Sequence, residues 1–323
     1  MAYLIIFVLL LVAELLYFRI ADNLNIIDKP NQRSSHKQIT LRGGGIIFYL
    51  AALGYFFYTG MSYPFFFIGL TLIAGISFAD DVHSVPNKIR LIIHFISMLL
   101  MFYQLGLFTE FPLWYLLIAL IFCTGVINAY NFMDGINGIT GGYSLVVLGI
   151  LYWLNRSLDF MDAEFLYWIL LADVVFCFFN FRKKAKCFAG DVGSVAMAFI
   201  VVFLLGKLIL KTDDVTYIVL LAVYGVDSVL TIVHRLMLKE NITLPHRKHA
   251  YQIMANELKI PHIVVSLLYM FLQFLAWGIY EFSHLAPVLS LIVVLIIYSL
   301  GYIVFMRKYF HLHRAYLQQS QKN

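Results

Sequence analysis

Four acids, Asp80, Asp81, Asp134 and Asp191, stand at the margins of long apolar runs in a chain with few charges. An ionised side chain at the centre of a membrane helix costs about 2.5–3.5 kcal/mol, and less near the interface, so acids kept at such depths are candidates for function. Asn131 precedes Asp134 by three positions, which puts both on one face if the helix continues. Carboxylates and a side-chain amide are hard oxygen ligands suited to Mg²⁺, with Mn²⁺ as the alternative. Such an ion takes one or two protein groups and shares the rest with phosphate and water. Asp191 lies in AGDVGS, where Gly190 and Gly193 permit tight turning, Ser194 can cap the next helix, and free backbone N–H groups would draw phosphate. Gly135, Gly138, Gly141 and Gly142 offer the same backbone access in NAYNFMDGINGITGG, and Lys88 and Arg90 supply positive charge for a pyrophosphate. The chemistry this predicts is metal-assisted phosphoryl transfer at a lipid boundary.

The elements that must position these residues are membrane helices. Of 323 residues, 62% are hydrophobic and only 13% charged, against about 45–50% apolar and about 25% charged in soluble domains. The predicted fold class is an all-α polytopic integral membrane protein. Crossing a ~30 Å hydrocarbon core takes about 17–25 residues. About eleven runs qualify: 2–20, 44–60, 64–80, 91–107, 112–128, 140–154, 164–181, 194–210, 215–233, 261–280 and 285–306. The first has no basic flank or cleavage site and reads as a retained span. With the N-terminus outside, 20 of the 23 Lys and Arg residues fall inside, leaving out Arg156, Lys207 and Lys211, which is the positive-inside pattern. The C-terminus is then cytoplasmic, and the polar loops gather on the cytoplasmic face. The net charge of +5 thus reflects topology, and no nucleic-acid partner is implied.

Each piece also has an ordinary structural reading. Asp80 and Asp81 can mark a solvated helix end, and HRKH (His246–His249) can be a basic loop; with no further Cys or His at ligand spacing, it is not a zinc site. His311 and His313 read as interfacial, His94 and Asp173 as internally hydrogen-bonded, and Cys123, Cys177 and Cys187 as apolar residues outside any disulfide framework. A transporter or flippase would show inverted repeats and polar groups at the bilayer midplane. Here no repeat is visible and the polar groups lie toward one face.

Five stretches in order, DKPNQRSSH…RGGGI, DDVHSVPNKIR, NAYNFMDGINGITGG, FAGDVGS and PHRKHAYQ, resemble the motifs of the polyprenyl-phosphate N-acetylhexosamine-1-phosphate transferases, glycosyltransferase family 4. The resemblance implies one integral membrane transferase domain over 1–323, in the bacterial inner membrane. It would move N-acetylhexosamine 1-phosphate from a UDP-N-acetylhexosamine to undecaprenyl phosphate and release UMP, starting O-antigen or a related envelope polysaccharide. A homodimer is implied as well. The same resemblance makes Asp191 and Asn131 the Mg²⁺ ligands and sets Lys88 on the diphosphate. Asp80 and Asp81 would activate or position the lipid phosphate, and Asp134, close to Asn137, would join them and Lys88 as catalytic residues. Asn137 would lie at the nucleoside, Arg42 among the substrate-binding residues, and His246, Arg247 and His249 over the sugar-phosphate end. At Asn137 many bacterial members carry Asp, which argues against an essential acid there. The form of HRKHAYQ, with VDSVLTIVHR from Val226, is similar to the O-antigen-initiating branch and gives Asp227 a supporting role. A 6-deoxysugar specialist and a general UDP-N-acetylglucosamine enzyme both fit that branch. A phosphate monoester has a second pKa of about 6, so the lipid phosphate is mostly dianionic at neutral pH and needs little general-base help. In-line attack is the favoured path, with a two-step phospho-aspartate route as the alternative.

Overall fold

The computed structural model of the chain describes residues 2–30, 35, 38–242, 244 and 246–320, without the side chains of 2 and 317–320. Of the motifs, residues 31–34, 36 and 37 of the first and Pro245 of the last lie outside the described residues. The apolar runs fold as helices: α1 (Ala2–Asn23), α2 (Ile46–Tyr58), α3 (Pro64–Val82), α4 (Asn87–Gln104), the short α5 (Leu107–Glu110), α6 (Leu113–Met133), α7 (Ile139–Leu158), α8 (Ala163–Asn180) and α9 (Gly190–Thr212). A 3-10 turn at Val215–Leu221 then runs into α10 (Ala222–Met237), followed by α11 (Ala250–Asn256), α12 (His262–Phe282) and α13 (Pro287–Ser320).

Among the described residues, 8 helices are long and apolar enough to cross a membrane, and the protein is an all-α multi-pass membrane protein. Three of the expected runs are not in that set, each for a visible reason. α2 has only 13 residues, α4 carries Lys88, Arg90 and His94, and α7 opens on Thr140-Gly141-Gly142 and closes on Asn155-Arg156. The last run is longer than expected, because helix α13 continues through the basic tail as far as Ser320.

Helix α9 is the centre of the bundle, with α2, α3, α6 and α7 packed on it. Of its most apolar stretch 83% is buried, against 17% for α13. Inside a bilayer no hydrophobic effect drives helix against helix, so van der Waals fit and internal hydrogen bonds must hold them. Phe66 of α3 stacks on Phe203 of α9 with ring centres 3.9 Å apart, and Gln273 of α12 joins Tyr143 Oη at 2.8 Å to the Val219 carbonyl at 3.1 Å. Backbone meets backbone closely where α2 and α9 begin. A Cβ on Gly193 would lie 2.5 Å from Gly45 Cα, and one on Gly45 would lie 2.3 Å from Gly193 Cα.

One end of the bundle gathers the polar connections. A two-residue ribbon, β1 (Ile27–Asp28) against β2 (Thr40–Leu41), is antiparallel, and Leu41 bridges to Cys187 in the loop before α9. Gly44 and Gly45 N–H donate to the carbonyls of Phe188 and Ala189. The first and fourth motifs, about 150 residues apart in the sequence, are therefore stitched together by backbone.

Candidate active site

Asp191 stands in the first turn of α9 and receives two arginines. Arg42 Nη2 reaches its Oδ1 at 3.2 Å, and Arg90 Nη2 reaches its Oδ2 at 3.0 Å. Arg42 Nε also pairs with Asp81 Oδ1 at 2.6 Å, and Arg90 Nη1 with Asp80 Oδ2 at 2.7 Å. The result is a ladder Asp81–Arg42–Asp191–Arg90–Asp80 drawn from β2 and its turn, α3, α4 and α9. Two planar forks between three carboxylates are the arrangement that guanidinium geometry favours over lysine.

The start of α9 differs from the expected capping. Its N-cap is Ala189 rather than Ser194, whose hydroxyl donates back to the Gly190 carbonyl at 3.1 Å. The first amides of the helix are also not free for a ligand, because Asp191 N and Val192 N both donate to the Asp81 carboxylate at 2.9 Å. Asp81, with its side chain fully buried, fills the place at the positive end of the helix dipole that phosphate was expected to take. Asp80 accepts Val85 N at 2.7 Å and so closes the turn into α4.

Beside the ladder lies a cavity of about 310 Å³ lined by Arg42, Asn131, Asp134, Asn137 and Asp191, among others. Five of the expected site residues, from three motifs, meet there. Asn131 ends α6, and Asp134 is its C-cap with φ −79 and ψ 63, so the two share the cavity through a helix end and not along a continued face. Thr140 Oγ1 donates to Asp134 Oδ1 at 2.6 Å, yet burial pushes the Asp134 carboxyl up to about 7. Asn137 is held by donating from Nδ2 to the Arg182 carbonyl at 2.9 Å. Its Oδ1 is buried and has no hydrogen-bond partner among the described residues. Gly135 packs under Tyr251, where a Cβ would lie 2.2 Å from the phenol oxygen, and Tyr251 Oη donates to the Phe132 carbonyl at 2.8 Å.

The remaining expected residues are not among the cavity's lining. Lys88 is exposed on the first turn of α4. His246 and His249 flank Phe132, the neighbour of Asn131, with ring centres 6.4 and 6.2 Å away and 5.0 Å from each other. Burial, with His249, Arg235 and Lys248 nearby, lowers His246 to about 3 and keeps it neutral. Arg247 pairs with Glu257 at 3.0 Å. Asp227 gathers the loop: its Oδ1 lies 3.3 Å from His249 Nδ1 and accepts Ala250 N at 3.1 Å, while its Oδ2 accepts the Tyr269 hydroxyl at 2.5 Å.

Other residues at the site carried weaker signals. Asp28, Phe188 and Gln252 line the cavity from inside quoted motifs, whereas Asn180 lines it from the end of an apolar helix without one. Asn180 Oδ1 accepts Gly138 N at 2.7 Å and its Nδ2 donates to the Cys187 carbonyl at 2.8 Å, joining the third and fourth motifs. Glu14, fully buried in α1, accepts from Cys187 Sγ at 3.6 Å behind the glycine turn. The sequence reading did not name it, although a lone acid in an apolar span is the signal that would have found it. His313 is not interfacial: it is 1% exposed and lies 2.9 Å from Glu257. Asp173 takes only a long contact from Cys177 at 3.8 Å among the described residues, and its other oxygen is unpartnered.

The donor set of the cavity fits a hard divalent cation. Asp191, Asp134, Asn131 and Asn137 present oxygens, and the buried Asn137 Oδ1 has no partner among the described residues. Each oxygen of Asp191 is used once by arginine and retains a second acceptor direction. Among the described residues no three or more His, Cys, Asp or Glu side chains cluster to hold a metal by themselves. A cation held there would draw on the amide oxygens and on oxygens from outside the protein, as is usual for Mg²⁺.

Known proteins are similar to this chain in sequence over much of its length. The sequence profile of glycosyl transferase family 4 matches residues 63–208, which takes in the second, third and fourth motifs. A probable undecaprenyl-phosphate N-acetylglucosaminyl 1-phosphate transferase of Bacillus subtilis is 25% identical over 253 residues, 72% of this chain and 70% of that one. The undecaprenyl-phosphate alpha-N-acetylglucosaminyl 1-phosphate transferase of Thermotoga maritima is 25% identical over 78% of this chain and 81% of its own. A phospho-N-acetylmuramoyl-pentapeptide-transferase of Petrotoga mobilis is 28% identical over 50% of this chain and 59% of its own. The profile match takes in Asp134 and Asp191, which meet at the cavity, so the chain is similar to glycosyl transferase family 4 over its site-bearing middle part.

Proposed function

We propose that this protein is a polyprenyl-phosphate N-acetylhexosamine-1-phosphate transferase, acting on UDP-N-acetylhexosamine and undecaprenyl phosphate. The observation that carries the reading is the convergence of Arg42, Asn131, Asp134, Asn137 and Asp191 on one polar cavity at the end of an apolar helix bundle. One substrate is water-soluble and the other is a lipid whose phosphate rides at the interface, so the site has to lie where both reach. An oxygen of the lipid phosphate attacks the β-phosphorus of the nucleotide sugar. The bond to the oxygen bridging the two phosphorus atoms breaks, and UMP leaves with that electron pair.

Asp191, Asn131 and Asp134 would hold Mg²⁺, which when bound neutralises diphosphate charge. Arg42 and Arg90 place two fixed positive charges beside the same carboxylate. They favour an anionic substrate and orient Asp191 without a change of protonation. Asp81 anchors α9 through its amides, so in this reading it acts by positioning. Asn137 is placed for the nucleoside and the HRKH loop for the sugar-phosphate end. The apolar helix surfaces offer the polyprenyl chain its path. In this reading α2, α4 and α7 also span the bilayer, the N-terminus is outside and the cavity faces the cytoplasm. The form of the HRKH loop supports the O-antigen-initiating branch.

The test is UMP release by the purified protein with undecaprenyl phosphate and Mg²⁺, offered UDP-N-acetylglucosamine, UDP-N-acetylquinovosamine and UDP-N-acetylfucosamine separately. Release that requires both lipid phosphate and metal is the expected result, and the best donor identifies the sugar. No release with any of these donors overturns the reading.

A further inference from the structure

The last helix carries none of the five motifs, yet its far end is fastened to one of them. α13 has 34 residues, which at 1.5 Å each is about 51 Å against a ~30 Å hydrocarbon core. The surplus packs back on the protein. His313 is 1% exposed, with Nδ1 at 2.9 Å from Glu257 Oε1. The same oxygen accepts Arg247 Nη2 at 3.0 Å, and the Arg247 guanidinium lies 4.4 Å from the centre of the Tyr316 ring. Glu257 is the C-cap of α11, and Gln252 of that helix lines the cavity. Arg247 is thus held between a carboxylate on α11 and a ring on α13, the latter braced by His313 on the same carboxylate. A planar, weakly hydrated cation suits both contacts.

We propose that the projecting end of α13 is a positioning element for the HRKH loop, with Tyr316 and His313 as positioning residues that fix where Arg247 stands against α11, the helix whose Gln252 lines the cavity. The role of Arg247 toward the donor rests on the transferase reading; the latch itself rests on the contacts. The ring contact needs an aromatic face and not the phenol, so Tyr316→Phe keeps it and Tyr316→Ala removes it.

Two measurements on the full-length protein in nanodiscs decide the proposal. In UMP release, Tyr316→Ala raises KM for the UDP-sugar about fivefold with kcat little changed, as expected for a lost cation–ring contact acting on binding. Tyr316→Phe restores the wild-type value, and Tyr316→Ala adds nothing in an Arg247→Ala background. In amide hydrogen exchange, 246–252 exchanges faster in Tyr316→Ala and His313→Ala than in the wild type or Tyr316→Phe. A wild-type KM in Tyr316→Ala, or a loss that adds to Arg247→Ala, overturns the positioning role. Unchanged exchange overturns the latch. If the wild type releases no UMP at all, the transferase reading fails, and the exchange measurement still decides the latch.

Discussion

Arg90 is a residue whose chemistry changes meaning between sequence and structure. Beside Lys88 it reads as charge for a pyrophosphate; in the fold its two amino groups divide between Asp80 and Asp191. A lysine ammonium is a point charge and cannot span both carboxylates in that planar geometry. Arg90→Lys is therefore expected to lower kcat/KM for UMP release about tenfold, equivalent to ~1.4 kcal/mol, while expression and thermal midpoint stay near wild type. An activity equal to wild type would show that the ladder does not support the site. Asp134 carries a different kind of prediction. Its folded carboxyl titrates at about 7 against an ordinary 3.8, so between those values the folded state keeps a proton that the unfolded state has lost. The stability this contributes is fully present below the ordinary value and is lost as pH rises through about 7. Asp134→Asn removes that dependence. In chelator, its thermal midpoint should exceed wild type at pH 8 and converge with it as the buffer is taken toward pH 5, while turnover is lost. A difference that is constant with pH would contradict the burial of this carboxyl.

At the scale of elements, the sequence made the site's contents legible and its scaffolding much less so. Polar residues beside apolar runs were visible because lipid-facing sequence has so few of them, and five of them do share one cavity. Asp81 shows what spacing cannot give. Nothing in ADD names the amides of Asp191 and Val192 as its partners, since they come from a helix more than a hundred residues later. Boundaries also moved. α7 runs Ile139–Leu158 where 140–154 was expected, and the added turn is the polar Asn155-Arg156-Ser157 that an apolar run leaves out, whereas its glycine-rich start shifts by only one residue. Gly45 on Gly193 is a close contact of backbone with backbone, which sets α2 against the turn of α9 that carries Asp191. A methyl at Gly193 meets backbone and not a flexible side chain, so one of the two helices has to shift. Gly193→Ala is expected to lower the thermal midpoint by several degrees, equivalent to about 1–3 kcal/mol of overpacking, and to reduce UMP release. Gly149→Ala, where a Cβ meets nothing within 4 Å, serves as the control with both unchanged.

For the whole molecule, the question is which side of the membrane the polar end faces. The contacts collect the ladder, the cavity and the HRKH loop at one end of the bundle. The other end is closed by pairs such as Tyr55 with Asp162 at 2.8 Å and Tyr280 with Thr216 at 2.6 Å. The proposed orientation rests on charge, since it keeps 20 of the 23 basic residues of the sequence inside, and basic loops resist translocation. Nucleotide sugars are made in the cytoplasm, so the charge argument and the substrate argument require the same face. Ser84, in the turn between α3 and α4, and Arg156, at the end of α7, are both exposed and lie at opposite ends. With single cysteines introduced there, a membrane-impermeant maleimide should label Arg156→Cys in intact cells and Ser84→Cys only after the membrane is opened. The native Cys123 and Cys187 are buried and Cys177 is half-buried in α8, and the parent protein measures their background. Labelling of Ser84→Cys from outside would invert the topology. The cavity would then open away from its donor, and the transferase reading could not stand with this orientation.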